Sequence, residues 1–230
     1  MPRRALPLIL ACLAASAAAP ERTPVLVELF TSEGCSSCPP ADRLLETLDP
    51  GAIVLSEHVD YWDQLGWRDP FSSRANTLRQ EAYARRFGKE GPYTPQMVID
   101  GAVEFNGSDG RRAAAEIAQA AKRERVSVTL SHTGDRLKIE TAPVSRSADV
   151  LLAVAEDRQA TSQVTAGENR GRNLRHVAVL RSLKKIGSVK RGAAFAQDVS
   201  LPADAAGKRL IVFLQDSDLG RVAGAGLLIP

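Results

Sequence analysis

The sequence predicts an α/β domain in the first half of the chain, followed by a small, mainly-β, sandwich-like domain in the second. Strand and helix signals alternate over residues 23–125 in the order β-α-β-α-β-β-α, which requires a mostly parallel sheet closed by a hairpin. Residues 126–230 instead show short strands separated by turn residues, without convincing helices. A chain of 230 residues is long enough for one large domain or two small ones. We therefore predict two domains, at residues 23–125 and 126–230.

Local residue patterns predict each element of the α/β half. Two consecutive prolines from Pro39 are tolerated in a helix only in its first turn, so a helix is predicted to begin there. Ser72 or Ser73 caps a second helix and Gly88 ends it, whereas Ser108 caps an alanine-rich third helix. An Asp-Gly turn at residues 100–101 separates two strands of a hairpin. The predicted elements are, in order, Val25–Phe30, Pro39–Leu48, Ala52–Val59, 73–87, Gln96–Asp100, Val103–Phe105 and 108–122.

The second half is predicted to consist of strands that together form a small β-sandwich, because several short strands with turn signals are typical of that architecture. The predicted strands are Val126–Ser131, Leu137–Thr141, Val150–Glu156, Leu174–Leu183, Val199–Leu201, Leu210–Gln215 and Val222–Ile229. No internal repeat or flexible linker is visible between the halves. We therefore expect the two halves to pack directly on one another.

Residues 1–19 are interpreted as a signal peptide. Arg3 and Arg4 precede an apolar stretch from Leu6 to Ala15, and small residues suited to cleavage follow. The stretch is shorter than the ~20 residues that a membrane helix needs, and no later stretch approaches that length. We expect a periplasmic or secreted protein in an oxidising compartment, with no membrane span after the signal peptide is removed.

The composition excludes several classes of protein. Hydrophobic residues make up 44% of the chain and charged residues 25%, as in ordinary globular proteins. The net charge of +3 is small and gives no reason to expect a nucleic acid partner. Three cysteines are too few for a disulfide-rich scaffold or a four-cysteine zinc site, and no cofactor is predicted.

Cys35 and Cys38 form a C-x-x-C motif between the first strand and the first helix. Free N–H groups at a helix N-terminus stabilise a thiolate, so Cys35 is predicted to attack substrates and Cys38, which we expect to be more buried, to resolve the intermediate. Three alternatives remain. The pair could form a structural disulfide in a non-catalytic interaction protein, although a loop this small contributes little stability. It could bind a soft metal such as Cu(I) together with His58, or remain as inert buried thiols, which an oxidising compartment disfavours.

The element order, the position of the C-x-x-C motif and Thr94-Pro95 at the start of the third strand resemble the thioredoxin fold. The resemblance implies that Pro95 is a cis-proline facing the cysteine pair, and that the backbone of Thr94 pairs with a bound peptide. It implies a protein or peptide substrate with a thiol or disulfide, and a redox partner. Classical thioredoxins carry an aromatic residue and Gly-Pro around the pair, whereas this chain has Gly34 before Cys35 and two serines in the gap.

Four segments, FTSEGCSSCPPAD, HVDYWDQLGWRDPFS, YTPQMVIDG and GENRGRNL, together resemble one family. It is the exported thioredoxin-like family known as domain of unknown function 1223, and the match runs from about Val25 to the C-terminus. The resemblance implies a fold and export, and it leaves the reaction open.

Other polar and aromatic residues are expected near the sulfur atoms, because ligands collect at the carboxyl ends of parallel strands. Trp62 and Trp67 are predicted to form a peptide-binding wall, the alternative being that they belong to the core. Glu28 lies in a strand expected to be buried, and is interpreted either as a proton acceptor for Cys38 or as an ion-pair partner of Arg43 or another base. His58 is interpreted as a proton shuttle, as a metal ligand, or as a histidine at a strand end whose ring nitrogen atoms are hydrogen-bonded within the protein.

Overall fold

The computed structural model describes residues 24–202 and 205–230, and the predicted signal peptide lies outside the described residues. The first half contains four strands and three α-helices in the predicted order. These are β1 (Leu26–Thr31), α1 (Pro39–Leu48), β2 (Ile53–His58), α2 (Arg74–Arg86), β3 (Gln96–Ile99), β4 (Val103–Asn106) and α3 (Gly110–Ala120).

Most of the local signals in the first half act as predicted. Helix α1 begins at Pro39, and the Ser73 hydroxyl caps α2 by accepting a hydrogen bond from the Asn76 N–H group. The predicted cap of α3 is wrong: Asp109, not Ser108, caps this helix, because its carboxylate accepts a hydrogen bond from the Arg112 N–H group. The capping residue is therefore one position later than predicted.

The four strands of the first half form one sheet in the order β2-β1-β3-β4. Strands β1 and β2 are parallel, whereas β3 runs antiparallel to both β1 and β4. Every residue of β1 is buried, as expected for a central strand covered on both faces. Leu29 packs in the same cluster as Leu45 of α1, and its neighbour Phe30 packs edge-on against Tyr83 of α2.

The second half contains nine strands: β5 (Val128–Thr133), β6 (Arg136–Thr141), β7 (Ala148–Glu156), β8 (Ala160–Gln163), β9 (Asn173–His176), β10 (Leu180–Val189), β11 (Ala196–Ser200), β12 (Lys208–Asp216) and β13 (Val222–Leu228). They form antiparallel sheets in the orders β10-β7-β12-β13, β11-β6-β5 and β8-β9. The prediction of one strand over Leu174–Leu183 is wrong, since the chain turns between β9 and β10, where Ala178 has a φ of +47°.

The sheet β10-β7-β12-β13 packs on both of its faces. Alternate residues of β7, such as Val150 and Leu152, enter a cluster with Leu137 and Ile139 of the sheet β11-β6-β5. The intervening Ala153 enters a second cluster, which also contains residues of β1 and α1. One hydrophobic core therefore extends across both halves of the chain.

A hydrogen bond also joins the two halves at the edge of the first sheet, from the Ser56 N–H group of β2 to the Ala178 carbonyl group at 3.0 Å. The domain boundaries at 23–125 and 126–230 stay predictions. No helix among residues 24–202 and 205–230 is long and apolar enough to cross a membrane.

Candidate functional site

Cys35 and Cys38 are joined by a disulfide bond at the start of α1, with their Cα atoms 5.4 Å apart. A tight turn holds the motif, because the Cys35 N–H group donates to the Ser32 carbonyl group and the Cys38 N–H group donates to the Cys35 carbonyl group. Cys38 is the residue immediately before Pro39, the first residue of the helix. Both cysteines are fully buried, whereas the sequence predicted Cys38 to be the more buried of the two.

Residues 164–172, which join β8 to β9 and which we call the covering loop, lie over the cysteine motif. The buried amide of Asn169 donates hydrogen bonds to the carbonyl groups of Glu33 (2.8 Å) and Cys35 (2.9 Å). The carboxylate of Glu168 accepts a hydrogen bond from the Ser36 N–H group at 3.0 Å. The Ser36 side chain and then this N–H group lower the pKa of Glu168. The second half of the chain thus covers a motif carried by the first half.

Trp62 lies between the cysteine motif and the start of β3. Its indole N–H group donates to the Thr94 hydroxyl at 2.8 Å. Its Cβ atom would be only 3.0 Å from a Cβ atom placed on Gly34, so the residue before Cys35 must be small. The peptide bond between Thr94 and Pro95 is cis. Trp62 and Thr94, two of the residues predicted to bind substrate, therefore contact each other beside the motif.

Trp67 has a different position from Trp62. Its indole N–H group donates to the carboxylate of Glu33 at 2.8 Å, and its Cβ atom packs against Gly167 of the covering loop. The Ser162 hydroxyl donates to the same carboxylate oxygen of Glu33 at 3.1 Å. Trp67 thus helps to hold Glu33, two residues before Cys35.

Five buried side chains, which we call the histidine–carboxylate cluster, lie next to the cysteine motif: Glu33, Asp42, His58, Asp69 and His176. The Nδ1 atom of His58 is 2.6 Å from the Asp69 carboxylate, which also accepts the Glu33 N–H group. The Nε2 atom of His176 is 3.3 Å from Glu33, and its Nδ1 atom is 3.7 Å from Asp42. The two imidazole rings meet edge to face, with centroids 4.5 Å apart.

The charges within this cluster stabilise one another. Burial tends to lower the pKa of His176, but the interactions of its ring with the Asp42 and Glu33 carboxylates outweigh it and raise the pKa of His176 to about 10. Burial tends to raise the pKa of Asp69, but the charge of His58 and several hydrogen bonds outweigh it and lower this pKa. His176 is therefore an imidazolium at neutral pH, held between two carboxylates.

Glu28 is also buried, but its partners lie on α2. Its carboxylate accepts hydrogen bonds from the Arg79 guanidinium and the Tyr83 hydroxyl, both at 2.7 Å. The base paired with Glu28 is thus Arg79 and not Arg43. The proposed roles of Glu28 and His58 in proton transfer stay predictions.

Comparisons with known proteins place the chain in a family. Residues 26–215 match the family described as protein of unknown function (DUF1223). The chain belongs to the DUF1223 family. No curated protein matches this DUF1223 chain significantly.

Two solved structures are similar to this DUF1223 protein. The crystal structure of protein AGR_C_4864 from Agrobacterium tumefaciens has 30% sequence identity and a TM-score of 0.81, and the match covers 92% of this chain and 96% of that one. HBP35 of Porphyromonas gingivalis has 12% identity and a TM-score of 0.60, with 90% of this chain and 75% of that chain covered. At that identity the second likeness concerns the fold alone.

Sequence reasoning did not assign a role to most of the polar residues that contact the motif. The four segments that resemble the DUF1223 family contain Glu33, Asp42, Asp69 and Asn169. Their place in these segments is the sequence feature that could have identified them as site residues. His176 lies two residues beyond the last segment, and no pattern in the sequence distinguishes it. Among the described residues of this DUF1223 protein, no group of three or more His, Cys, Asp or Glu side chains is arranged to hold a metal ion.

Proposed function

We propose that this DUF1223 protein is an exported thiol–disulfide oxidoreductase with a thioredoxin-like first half, acting on protein or peptide substrates in the periplasm or outside the cell. The observation that carries the proposal is the Cys35–Cys38 disulfide at the N-terminus of α1. The cis peptide bond between Thr94 and Pro95 supports it. The sheet order β2-β1-β3-β4, with only β1 and β2 parallel, supports the proposed fold. The apolar N-terminal segment supports the proposed export.

The reaction exchanges the protein disulfide with a substrate dithiol. A substrate thiolate attacks the Sγ atom of Cys35, and the bond to Cys38 breaks with its electron pair on the Cys38 sulfur. The second substrate thiolate then attacks the mixed disulfide and releases Cys35. The substrate is oxidised to a disulfide and the protein is reduced to a dithiol, which an electron-accepting disulfide partner reoxidises by the reverse steps.

Trapping of the mixed disulfide tests this function. The wild-type protein is expected to accelerate the reduction of insulin by dithiothreitol, whereas Cys35→Ala and Cys38→Ala variants lose this activity. The Cys38→Ala variant is expected to accumulate a disulfide between Cys35 and an insulin chain, because the resolving thiol is absent. Cys35→Ala is the matched control and should trap far less.

The burial of both cysteines favours a second candidate function, that of an interaction protein with a structural disulfide. The reduction potential of the Cys35–Cys38 couple separates the two candidates. A potential below about −300 mV, together with no trapped intermediate, would indicate a structural bond and refute the oxidoreductase.

Access to the disulfide is predicted to depend on Asn169 of the covering loop. An Asn169→Ala substitution removes two hydrogen bonds that hold the loop on the motif, each contributing about 0.5–1.5 kcal/mol. We therefore expect dithiothreitol to reduce the disulfide of this variant roughly tenfold faster or more. Gln197→Ala, at an exposed site in strand β11, is the control. Equal rates for the two variants would show that the covering loop does not limit access.

A further inference from the structure

A small cavity brings solvent close to the residue one helical turn after Cys38. The cavity measures about 180 Å³ and lies between α1 and β9. Its lining residues are Pro39, Asp42, Arg43, Asn173, Leu174 and Arg175. The N–H group of Asp42 donates to the Cys38 carbonyl group at 3.1 Å, so the carboxyl-bearing residue at this cavity is tied to the resolving cysteine.

Behind Asp42, two further titratable side chains lead from the cavity to the cysteine motif. The His176 ring lies between the Asp42 and Glu33 carboxylates, at 3.7 Å from Asp42 and 3.3 Å from Glu33. Glu33 is only two residues before Cys35, and Asn169 binds the carbonyl groups of both. Asp42, His176 and Glu33 therefore form a continuous row of proton-exchanging groups from solvent to the turn that holds the disulfide.

The hydrogen bonds in this row are incomplete. Within the part of the chain that the structure describes, the Oδ1 atom of Asp42 and the Nδ1 atom of His176 are both buried and have no hydrogen-bond partner. These atoms face each other across 3.7 Å, a gap that a shift of under an ångström would close to hydrogen-bond distance. Buried polar atoms without hydrogen bonds lower the stability of the folded protein. Their presence at this point therefore suggests that they have a function.

We propose that Asp42, His176 and Glu33 form a proton relay that carries a proton from this cavity to the cysteine motif when the disulfide is reduced. The inference rests on the proposed thiol–disulfide exchange. In that reaction the electron pair of the broken bond stays on the Cys38 sulfur, and one proton converts the thiolate to a thiol. His176 releases its Nε2 proton through the Glu33 carboxylate to the Cys38 sulfur, which leaves a neutral ring with its other proton on Nδ1. The ring then turns by half a revolution to present the vacated nitrogen atom to Asp42, and a proton that enters from the cavity through Asp42 restores the imidazolium.

The charges around the motif explain why reduction needs such a proton. His176 faces the Glu33 carboxylate from the turn after β1, the Asp42 carboxylate from α1 and the His58 ring from β2, and Phe71 adds an apolar edge. The Asp69 carboxylate lies behind His58. A buried thiolate next to several carboxylates is unfavourable, because burial and like charges both disfavour the ionised form. Protonation of the leaving sulfur atom therefore assists its departure.

The pH dependence of disulfide reduction tests the relay. The rate constant for reduction by dithiothreitol, corrected for the fraction of reagent present as thiolate, is measured from pH 6 to 10.5 in the wild type, in His176→Asn and in His132→Asn. His132 is exposed in β5 and provides the same substitution away from the site. The relay can donate only while His176 is protonated, so its advantage exists below the pKa of about 10 and disappears as the pH rises through it.

We expect His176→Asn to be reduced tenfold or more slowly than the wild type at pH 7, with the difference vanishing above pH 10. The His132→Asn variant should follow the wild type throughout. The reduction potential is measured in parallel, because a relay changes the rate much more than the equilibrium. A rate and a potential that change together would show that His176 only stabilises the oxidised form, and would overturn the relay.

The failure of the relay can be told apart from the failure of the proposed function. If Cys38→Ala traps the mixed disulfide but His176→Asn keeps the wild-type pH profile, the relay is refuted and the oxidoreductase stands. If no mixed disulfide forms, the proposed function itself fails and the relay fails with it. Asp42→Asn, which keeps the size of the side chain at the cavity, is the second variant and decides the question if His176→Asn does not fold.

Discussion

Replacing Arg79 by Met is expected to lower the free energy of unfolding by about 3–5 kcal/mol at neutral pH, because the substitution leaves a buried carboxylate without its cation. Arg79 has a side chain that is only 9% exposed, and its guanidinium binds Glu28, whose side chain is fully buried. The same guanidinium donates hydrogen bonds to the Tyr83 hydroxyl and to the Gln215 side chain, both at 3.1 Å. Gln215 belongs to β12, so Arg79 also connects the two halves of the chain.

A second buried carboxyl group makes this site more sensitive to the loss of Arg79. Glu57 lies 3.7 Å from the Arg79 guanidinium, and both of its carboxyl oxygens are buried without a hydrogen-bond partner among the described residues. Burial and the nearby charge of Glu28 raise the pKa of Glu57 well above its usual value, although Arg79 opposes this. Without Arg79, the Glu28 carboxylate would lie beside this second buried carboxyl group with no cation to compensate it.

Urea denaturation with a matched variant on the same helix measures the effect of Arg79. Arg74→Met removes an exposed arginine whose ion pairs with Glu81 and Asp60 are solvated, and it should cost about 0–1 kcal/mol. Adding Glu28→Gln to Arg79→Met should restore part of the stability, because it removes the uncompensated charge. A loss no larger than that of Arg74→Met would contradict this account.

Much of the first half could be predicted because its signals are local. The prolines that start α1, the serine that caps α2 and the Asp-Gly turn each act through a few neighbouring residues. Strand β8 was missed because its sequence, Ala-Thr-Ser-Gln, has no hydrophobic alternation. The break between β9 and β10 was missed because a long-range contact accompanies it, where Ser56 of β2 binds the Ala178 carbonyl group.

The candidate site follows the same division between local and distant contacts. Residues close together in the sequence predict the C-x-x-C motif and its place before α1. The resemblance to a fold predicts the position of Trp62 near the motif. The contact between Glu33 and His176 joins residues 143 positions apart, and no periodicity in either segment reports it. The covering loop is similar, because Arg170 and Arg172 within it are exposed whereas Asn169 is fully buried, and the local sequence does not distinguish them.

Replacing Gly101 by Ala is expected to lower the free energy of unfolding by about 2–5 kcal/mol, because the turn between β3 and β4 has neither the backbone geometry nor the space for a side chain. Gly101 has a φ of +59°, in the left-handed region that costs other residues about 1–2 kcal/mol. A Cβ atom there would overlap the carbonyl oxygen of Gly220 and lie 2.9 Å from the Gln215 side-chain nitrogen. The obstructing oxygen atom belongs to the backbone of Gly220 and cannot rotate away as a side chain would. The turn and the segment before β13 would therefore have to separate.

Gly134→Ala separates the two contributions. Gly134 has almost the same φ, +57°, in the turn between β5 and β6, but nothing lies within 4 Å of a Cβ atom placed on it. This control should therefore lose only the backbone contribution of about 1–2 kcal/mol, measured by urea denaturation alongside Gly101→Ala. The excess loss in Gly101→Ala measures how tightly the second half packs on the β3–β4 turn. Equal losses would show that this contact can relax freely.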